Sequence, residues 1–163
     1  MWSRKASRST WSSAPLASAF ATSPTPRTER STYFEDVEVG VSLETPAMTL
    51  TAAHVSLFAG LTGGAPAPDP ERVPDLLALC LSSGLGWRVP KPPLVVLAFM
   101  GFDWKFHLPI RIGDTIHSRS HTASKRSLKE GGVIFEHRDI VNQRGEVVQS
   151  GRLTLLVAKR KSA

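Results

Sequence analysis

Five histidines, one cysteine and fourteen acidic residues are the side chains that could move protons or act as nucleophiles. Asp69 stands in GGAPAPDPERVP (residues 63–74), where four prolines and two glycines in twelve residues mark a loop. Loops held against a rigid element are where function concentrates, so its carboxylate is a candidate lone base. An aspartate between two prolines is more commonly a turn former, and the residues alone are compatible with both roles. His54 falls on the exposed side of a short helical stretch, with no orienting partner for acid–base work. His107, His117, His121 and His137 fall on extended segments or a turn. His117 and His121 share a strand face, but no carboxylate or cysteine completes a ligand set beside them, so no metal is expected. Cys80 lies in an apolar run and reads as a small buried hydrophobe. Standing alone, it excludes an internal disulfide and suits a reducing compartment. The sequence carries no phosphate loop, zinc-protease motif or nucleophile elbow.

The element that must position these residues is VPDLLALCLSSGLGW, residues 73–87. Pro74 and Asp75 suit the first turn of a helix, and Gly84 and Gly86 close it. Leu76, Leu77, Ala78, Leu79, Cys80, Leu81 and Leu85 cover nearly every direction around its axis, so most of its circumference has to be wrapped. The wrapping is expected from the strands downstream. Residues 94–106 carry apolar side chains on both faces up to Gly101 and on one face after it, with Gly101 as a bulge or bend. Residues 115–127 alternate in a largely polar pattern that suits an exposed, curved strand. Residues 133–141 and 146–159 form a hairpin across Asn142-Gln143-Arg144-Gly145, with Val147, Leu153, Leu155 and Val157 facing one way. Upstream, residues 43–50 predict a first strand and residues 52–61 a short helix capped by Thr51. One apolar helix inside a curled antiparallel sheet is an α+β arrangement that buries both.

The chain has 163 residues with 41% hydrophobic content, enough for one core and not for two. Its formal charge of +6 is unevenly spread. Arg4, Lys5, Arg8 and Arg27 precede the first acidic residue, Glu29, so sixteen basic residues face fourteen acidic ones from there on. A nearly neutral body argues against a nucleic-acid partner, and Lys159-Arg160-Lys161 reads as a solvated tail. No apolar stretch is long enough to span a membrane, so no membrane partner is expected. Residues 1–28, rich in Ser, Thr, Arg and Ala and free of acids, have the composition of a mitochondrial transit peptide; a disordered tail is the alternative, with a cytoplasmic protein as its consequence. Residues 29–163 then form a single domain.

Five stretches in order resemble the MaoC-like dehydratase family of hotdog proteins. These are Tyr33-Phe34-Glu35-Asp36 with Gly40, Phe58-Ala59-Gly60-Leu61-Thr62-Gly63, Leu81-Ser82-Ser83-Gly84-Leu85, Trp104-Lys105-Phe106 with Pro109 and Gly113-Asp114-Thr115, and Val141-Asn142-Gln143-Arg144-Gly145-Glu146-Val147. The resemblance covers residues 33–160. It implies a curved antiparallel sheet around one central helix, a homodimer or higher oligomer, and (R)-specific hydration of a trans-2-enoyl thioester or the reverse dehydration. The substrate would be carried on coenzyme A or acyl carrier protein, and no other cofactor is implied. Such chemistry needs an acid/base pair and a backbone N–H that holds the thioester carbonyl as enolate charge develops.

The family supplies its pair as Asp-x4-His just after the Leu-Thr-Gly turn. Here Gly64 stands at the Asp position, so it has no catalytic role, and Asp69 stands at the His position. Aligned backward from the central helix, the segment instead reads as shortened by roughly a dozen residues. Asp69 remains as a possible lone base, as single carboxylates serve in some hotdog thioesterases. The carbonyl-binding N–H corresponds to that of Asp75, whose carboxylate would sit near developing negative charge; Leu76, Ser82, Ser83 and Gly84 complete the implied substrate contacts. A relative with impaired hydratase activity is expected, or alternatively a non-catalytic subunit that binds acyl thioester or pairs with a catalytic paralogue.

Overall fold

The computed structural model describes residues 31–64 and 69–160. The leader at 1–28 and residues 65–68 of the proline-rich loop lie outside the described residues. A 3-10 turn at Phe34–Asp36 opens the fold, followed by β1 (Ser42–Glu44), β2 (Met48–Thr49), α1 (Ala52–Thr62), α2 (Asp75–Gly86), β3 (Val96–Phe106), β4 (Thr115–Ser127), β5 (Gly132–Asn142) and β6 (Val147–Val157). All strand pairs are antiparallel, and the sheet runs β1-β4-β5-β6-β3 with β2 also on β4. This is the hotdog arrangement expected from the sequence. Among the described residues no helix is long and apolar enough to cross a membrane.

The expected first strand is split. Pro46 has no N–H to give the ladder, so β1 and β2 flank it. Thr45 bridges the gap with its side chain: its N–H donates to the Ser118 carbonyl at 2.9 Å and its hydroxyl accepts the Ser118 N–H at 2.9 Å. β4 also differs from its expected exposure. It lies inside the sheet between β1 and β5, and Ile116, Ser118 and Ser120 on its inner face are buried. A polar alternation had suggested solvent, whereas small hydroxyl residues face the core. β6 carries a bulge opposite Ile140 and Val141 that takes Val147 out of line with Leu153, Leu155 and Val157, and it is Val148 that is buried.

α2 lies on the concave face, its Leu77 and Ala78 packed with Leu50, Val73, Ile110, Ile116, Ile140 and Val148. One curved sheet covers only one side of a helix, however. Leu76, Cys80, Ser83, Gly84 and Trp87 line the other side and are exposed, Trp87 by 75%. Cys80 is therefore an exposed thiol, contrary to the burial expected of it. β3 corrects the sequence reading in the same way. It is an edge strand paired only with β6, so its apolar first half is open on both faces, with Phe99 and Met100 each 56% exposed. The bulge expected at Gly101 is present between Phe99 and Gly101. Arg160, expected in a solvated tail, donates from Nη2 to both Asp36 carboxylate oxygens, at 2.6 and 2.7 Å.

Two buried polar groups hold the helix and the hairpin in place. Gln149, 1% exposed, accepts from the Trp104 indole N–H at 3.0 Å and donates to the carbonyl of Asp75, the first residue of α2, at 2.8 Å. Trp104 reaches Gln149 because Gly151 lies opposite it on β6; a Cβ there would stand 2.3 Å from the ring. Asp114 accepts from the Arg111 N–H at 2.8 Å and from the Gln143 amide at 2.7 Å, tying the turn before β4 to the β5–β6 loop. Burial raises the pKa of Asp114, but the Gln143 amide, the Arg111 N–H and the Arg144 guanidinium outweigh it and hold the carboxyl below its ordinary value.

Gln149→Leu leaves the buried indole N–H without a partner and removes the tie to the first carbonyl of α2, and we expect it to cost on the order of 2–3 kcal/mol in urea unfolding. For Asp114 the folded pKa is the lower one, so its contribution is complete above the unfolded carboxyl value and is lost as pH falls toward the folded one. Asp114→Asn should therefore lower the stability by about 1–3 kcal/mol at neutral pH. It should also flatten the acid limb of the stability–pH curve, which thermal melts between pH 7 and 3 would read.

Candidate functional site

The loop that resembles the family's catalytic segment returns to the body through a short antiparallel contact. Val73 N–H donates to the Ile110 carbonyl and Ile112 N–H to that of Glu71, each at 2.9 Å, with Arg72 opposite Arg111. Within this frame one oxygen of Asp69 accepts the Glu71 N–H at 3.0 Å, the hydrogen bond of an Asx turn, and the other pairs with Arg111 at 3.3 Å. Arg111 also reaches Glu71 at 3.4 Å. The Asp69 side chain is 44% exposed, so water has access to it, but both of its oxygens already hold the loop.

Gly64 follows Gly63, whose φ of 63° ends α1 in the left-handed region. Position 64 carries no side chain, and a Cβ there would lie 3.3 Å from the Thr62 hydroxyl. His54 does have a partner, contrary to expectation: its Nδ1 accepts the Thr51 N–H at 3.1 Å, so the imidazole caps the start of α1. At the start of α2 the Asp75 carboxylate pairs with Arg72 at 3.1 Å, which partly neutralises the negative charge expected beside the helix N-terminus. Leu77 N–H donates to the Pro74 carbonyl at 3.0 Å, so the first-turn N–H groups of Asp75 and Leu76 are the donors available to a carbonyl. Leu76 is half-exposed beside them.

The substrate contacts implied by the sequence do not form one group. Asp69, Gly64, Asp75 and Leu76 belong to the loop and the first turn of α2. Ser82, Ser83 and Gly84 lie about two turns away, roughly 12 Å along the axis. Ser82 is buried, donates to the Leu79 carbonyl at 2.8 Å and lies 3.4 Å from Arg138 Nη1. Ser83 borders a cavity of about 670 Å³ at the C-terminal end of the helix. Arg111 and Gln149 escaped the sequence reading because their partners lie 42 and 74 residues away and give no local signal, whereas the Arg72–Asp75 pair, three residues apart, was legible from spacing and was missed.

The histidine pairing also differs from the one suggested by spacing. His121 meets His137 on the neighbouring strand, ring centroids 5.4 Å apart, and His137 Nε2 is 3.0 Å from Asp139. Among the described residues no three such groups could hold a metal ion.

No family model matches the chain. It is 30% identical over 144 residues to the (R)-specific enoyl-CoA hydratase of Rhodospirillum rubrum, covering 78% of this chain and 93% of that protein. Among solved structures, the monoamine oxidase regulatory protein of Archaeoglobus fulgius superposes with a TM-score of 0.73 at 27% identity, covering 80% of this chain and 97% of the other. A MaoC domain protein dehydratase of Chloroflexus aurantiacus also superposes with a TM-score of 0.73, at 26% identity. That match covers 83% of this chain and 42% of the other, so this chain spans less than half of it. With its fold and nearly the full length of the hydratase matched, the chain belongs to the MaoC-like (R)-specific hydratase and dehydratase family.

Proposed function

We propose that this chain binds an acyl thioester within the MaoC frame and that its hydratase or dehydratase chemistry is impaired. The observation that carries this reading is the state of the two positions aligned with the family's acid/base pair. Gly64 has no group to offer, and Asp69 has one oxygen on the Glu71 N–H and the other on Arg111. Each positioned acid or base is worth about 10²–10⁴ in rate, so a site without the pair falls well below a complete one. What remains is suited to binding: the Asp75 N–H for the thioester carbonyl, Leu76 beside it, and Ser82, Ser83 and Gly84 further along α2. The carrier is coenzyme A or acyl carrier protein, and residues 1–28 direct the protein to mitochondria.

The protein works as a homodimer or higher oligomer in this reading. Its support is the open apolar edge of β3 together with the open side of α2. The same surface favours a second reading, in which a catalytic paralogue takes the place of the second copy and this chain supports it.

The test follows the loss of enoyl absorbance on adding the full chain to short and medium trans-2-enoyl-CoA, beside calorimetric binding of the same ligands and an Asp69→Asn variant. We expect binding, turnover at least about a hundredfold below an (R)-specific hydratase assayed alongside, and no further loss in the variant. Turnover equal to that hydratase and abolished by Asp69→Asn would overturn the proposal and make Asp69 a working single base.

A further inference from the structure

Charge is sorted along the strand direction of this sheet. Where β4 begins and β5 finishes, every arginine of the loops is held by carboxylates: Arg72 by Asp75, Arg111 by Asp69 and Glu71, Arg144 by Asp114 and Glu146. Among these eight residues five acids face three arginines. β4, thirteen residues long, carries the chain roughly 40 Å to the other end. There the balance reverses. The β4–β5 hairpin offers Arg126 and Lys129, and the connector from α2 to β3 offers Arg88 and Lys91. All four are exposed, and none takes part in an ion pair among the described residues. Lys125 and Lys159 direct their ammonium groups at backbone carbonyls, of Phe34 and Val37 and of Leu128, which leaves their charge unanswered. With the Arg160–Asp36 and Arg138–Glu136 pairs set aside, six cations stand here against Glu35, Glu38 and Glu130.

These cations share one continuous surface. Ala158 N–H donates to the Val95 carbonyl at 2.9 Å, Leu94 packs beside Ile134, Leu155 and Val157, and Lys159 reaches the hairpin at Leu128. Connector, end of β6 and hairpin therefore lie side by side. The connector also roofs the cavity of about 670 Å³ that Ser83 borders, so the basic surface adjoins the far end of the contacts proposed for the thioester. From the Asp75 N–H to that end α2 runs roughly 18 Å, a span of the order of a pantetheine arm. Coenzyme A and acyl carrier protein share that arm and its first phosphate, and they differ in what lies beyond. Arg88 and Lys91 line the cavity and are placed to meet a phosphate from either carrier. Arg126, Lys129 and Lys159 are outside the cavity lining, across the end of β6, and suit a broad acidic surface better than a single nucleotide.

We propose that the carrier is a protein, and that an acidic acyl carrier protein docks on this basic end through Arg126, Lys129 and Lys159 while its acylated arm enters beside Arg88 and Lys91. The proposal rests on the thioester reading and selects between its two carriers. The sorted charges also set the direction of approach, because the carboxylate-rich end repels the partner that the basic end attracts. The hairpin joins β4 and β5, which β6 separates from the β3 edge, so a second chain on that edge leaves it accessible.

The test is calorimetry of the full chain with a mitochondrial acyl carrier protein, unacylated or carrying trans-2-octenoate, and with trans-2-octenoyl-CoA. The proteins are the wild type, the double reversal Arg126→Glu with Lys129→Glu, and Arg152→Glu, an exposed arginine in the middle of β6 that serves as the control. We expect the octenoyl carrier protein to bind at least about tenfold more tightly than octenoyl-CoA. The double reversal should weaken both forms of the carrier protein by about tenfold or more and leave octenoyl-CoA unchanged, and the control should alter none of them. Octenoyl-CoA binding as tightly as the octenoyl carrier protein, or carrier-protein binding that survives the double reversal, would overturn the proposal and leave the thioester reading intact. Duplex DNA or an anionic phospholipid vesicle bound as tightly as the carrier protein, and lost on the same reversal, would overturn it as well by marking a general polyanion surface. Reversal-sensitive binding of the unacylated carrier protein, with the octenoyl group adding nothing on either carrier, would uphold the docking surface and sink the thioester reading instead.

Discussion

The sheet stops at β3, and the consequences run through the whole molecule. Val96, Leu97, Phe99, Met100, Phe102 and Phe106 stand on a strand with a neighbour on one side only. Beside that edge the helix that fills the concave face turns Leu76, Cys80 and Trp87 outward. A long apolar edge strand is an aggregation surface unless something pairs with it. In the homodimer proposed above, a two-fold axis would bring this edge against itself in antiparallel pairing, which would cover the strand. Ser83 and Gly84 leave that side of the helix low enough for a close neighbour. In such a pair the connections within each chain, from Trp104 through Gln149 to the start of α2, set where the helix ends lie.

The sequence carried α2 and the long strands, since their apolar periodicity and turn residues are local. What it did not carry depends on neighbours. Whether Phe99 is buried depends on what lies beyond β3, and periodicity alone cannot distinguish a strand covered by its own chain from one covered by another. Cys80 was misread for the same reason, because a helix apolar all round looks the same whether one chain or two enclose it. Ser118 and Ser120 failed differently: serine at every second position suggests solvent, and only the location of β4 between β1 and β5 shows that those hydroxyls face inward. The split at Pro46 was foreseeable from the missing N–H, but its repair by the Thr45 hydroxyl was not.

The candidate site shows the same division. The empty position at Gly64 and the lone carboxylate of Asp69 were plain from the residues, and the structure adds what Asp69 touches. Arg111 is 42 residues away, so the ion pair that holds the aspartate is invisible until the segment 110–112 is laid beside 71–73. Ser82 was placed with the substrate contacts at the helix start, yet its nearest charged neighbour is Arg138, on the strand that floors the distant cavity. One helix therefore serves two environments, an N-terminal turn suited to a carbonyl oxygen and a C-terminal turn beside charge.

The most direct measurement is sedimentation of the full chain over a range of micromolar concentrations, since the uncovered edge of β3 is the feature on which the account rests. A particle of twice 17.7 kDa or larger that persists on dilution is the predicted result. A soluble, well-behaved monomer at the highest concentration would contradict it, because it would mean that water tolerates the β3 edge and the open side of α2 without a second chain.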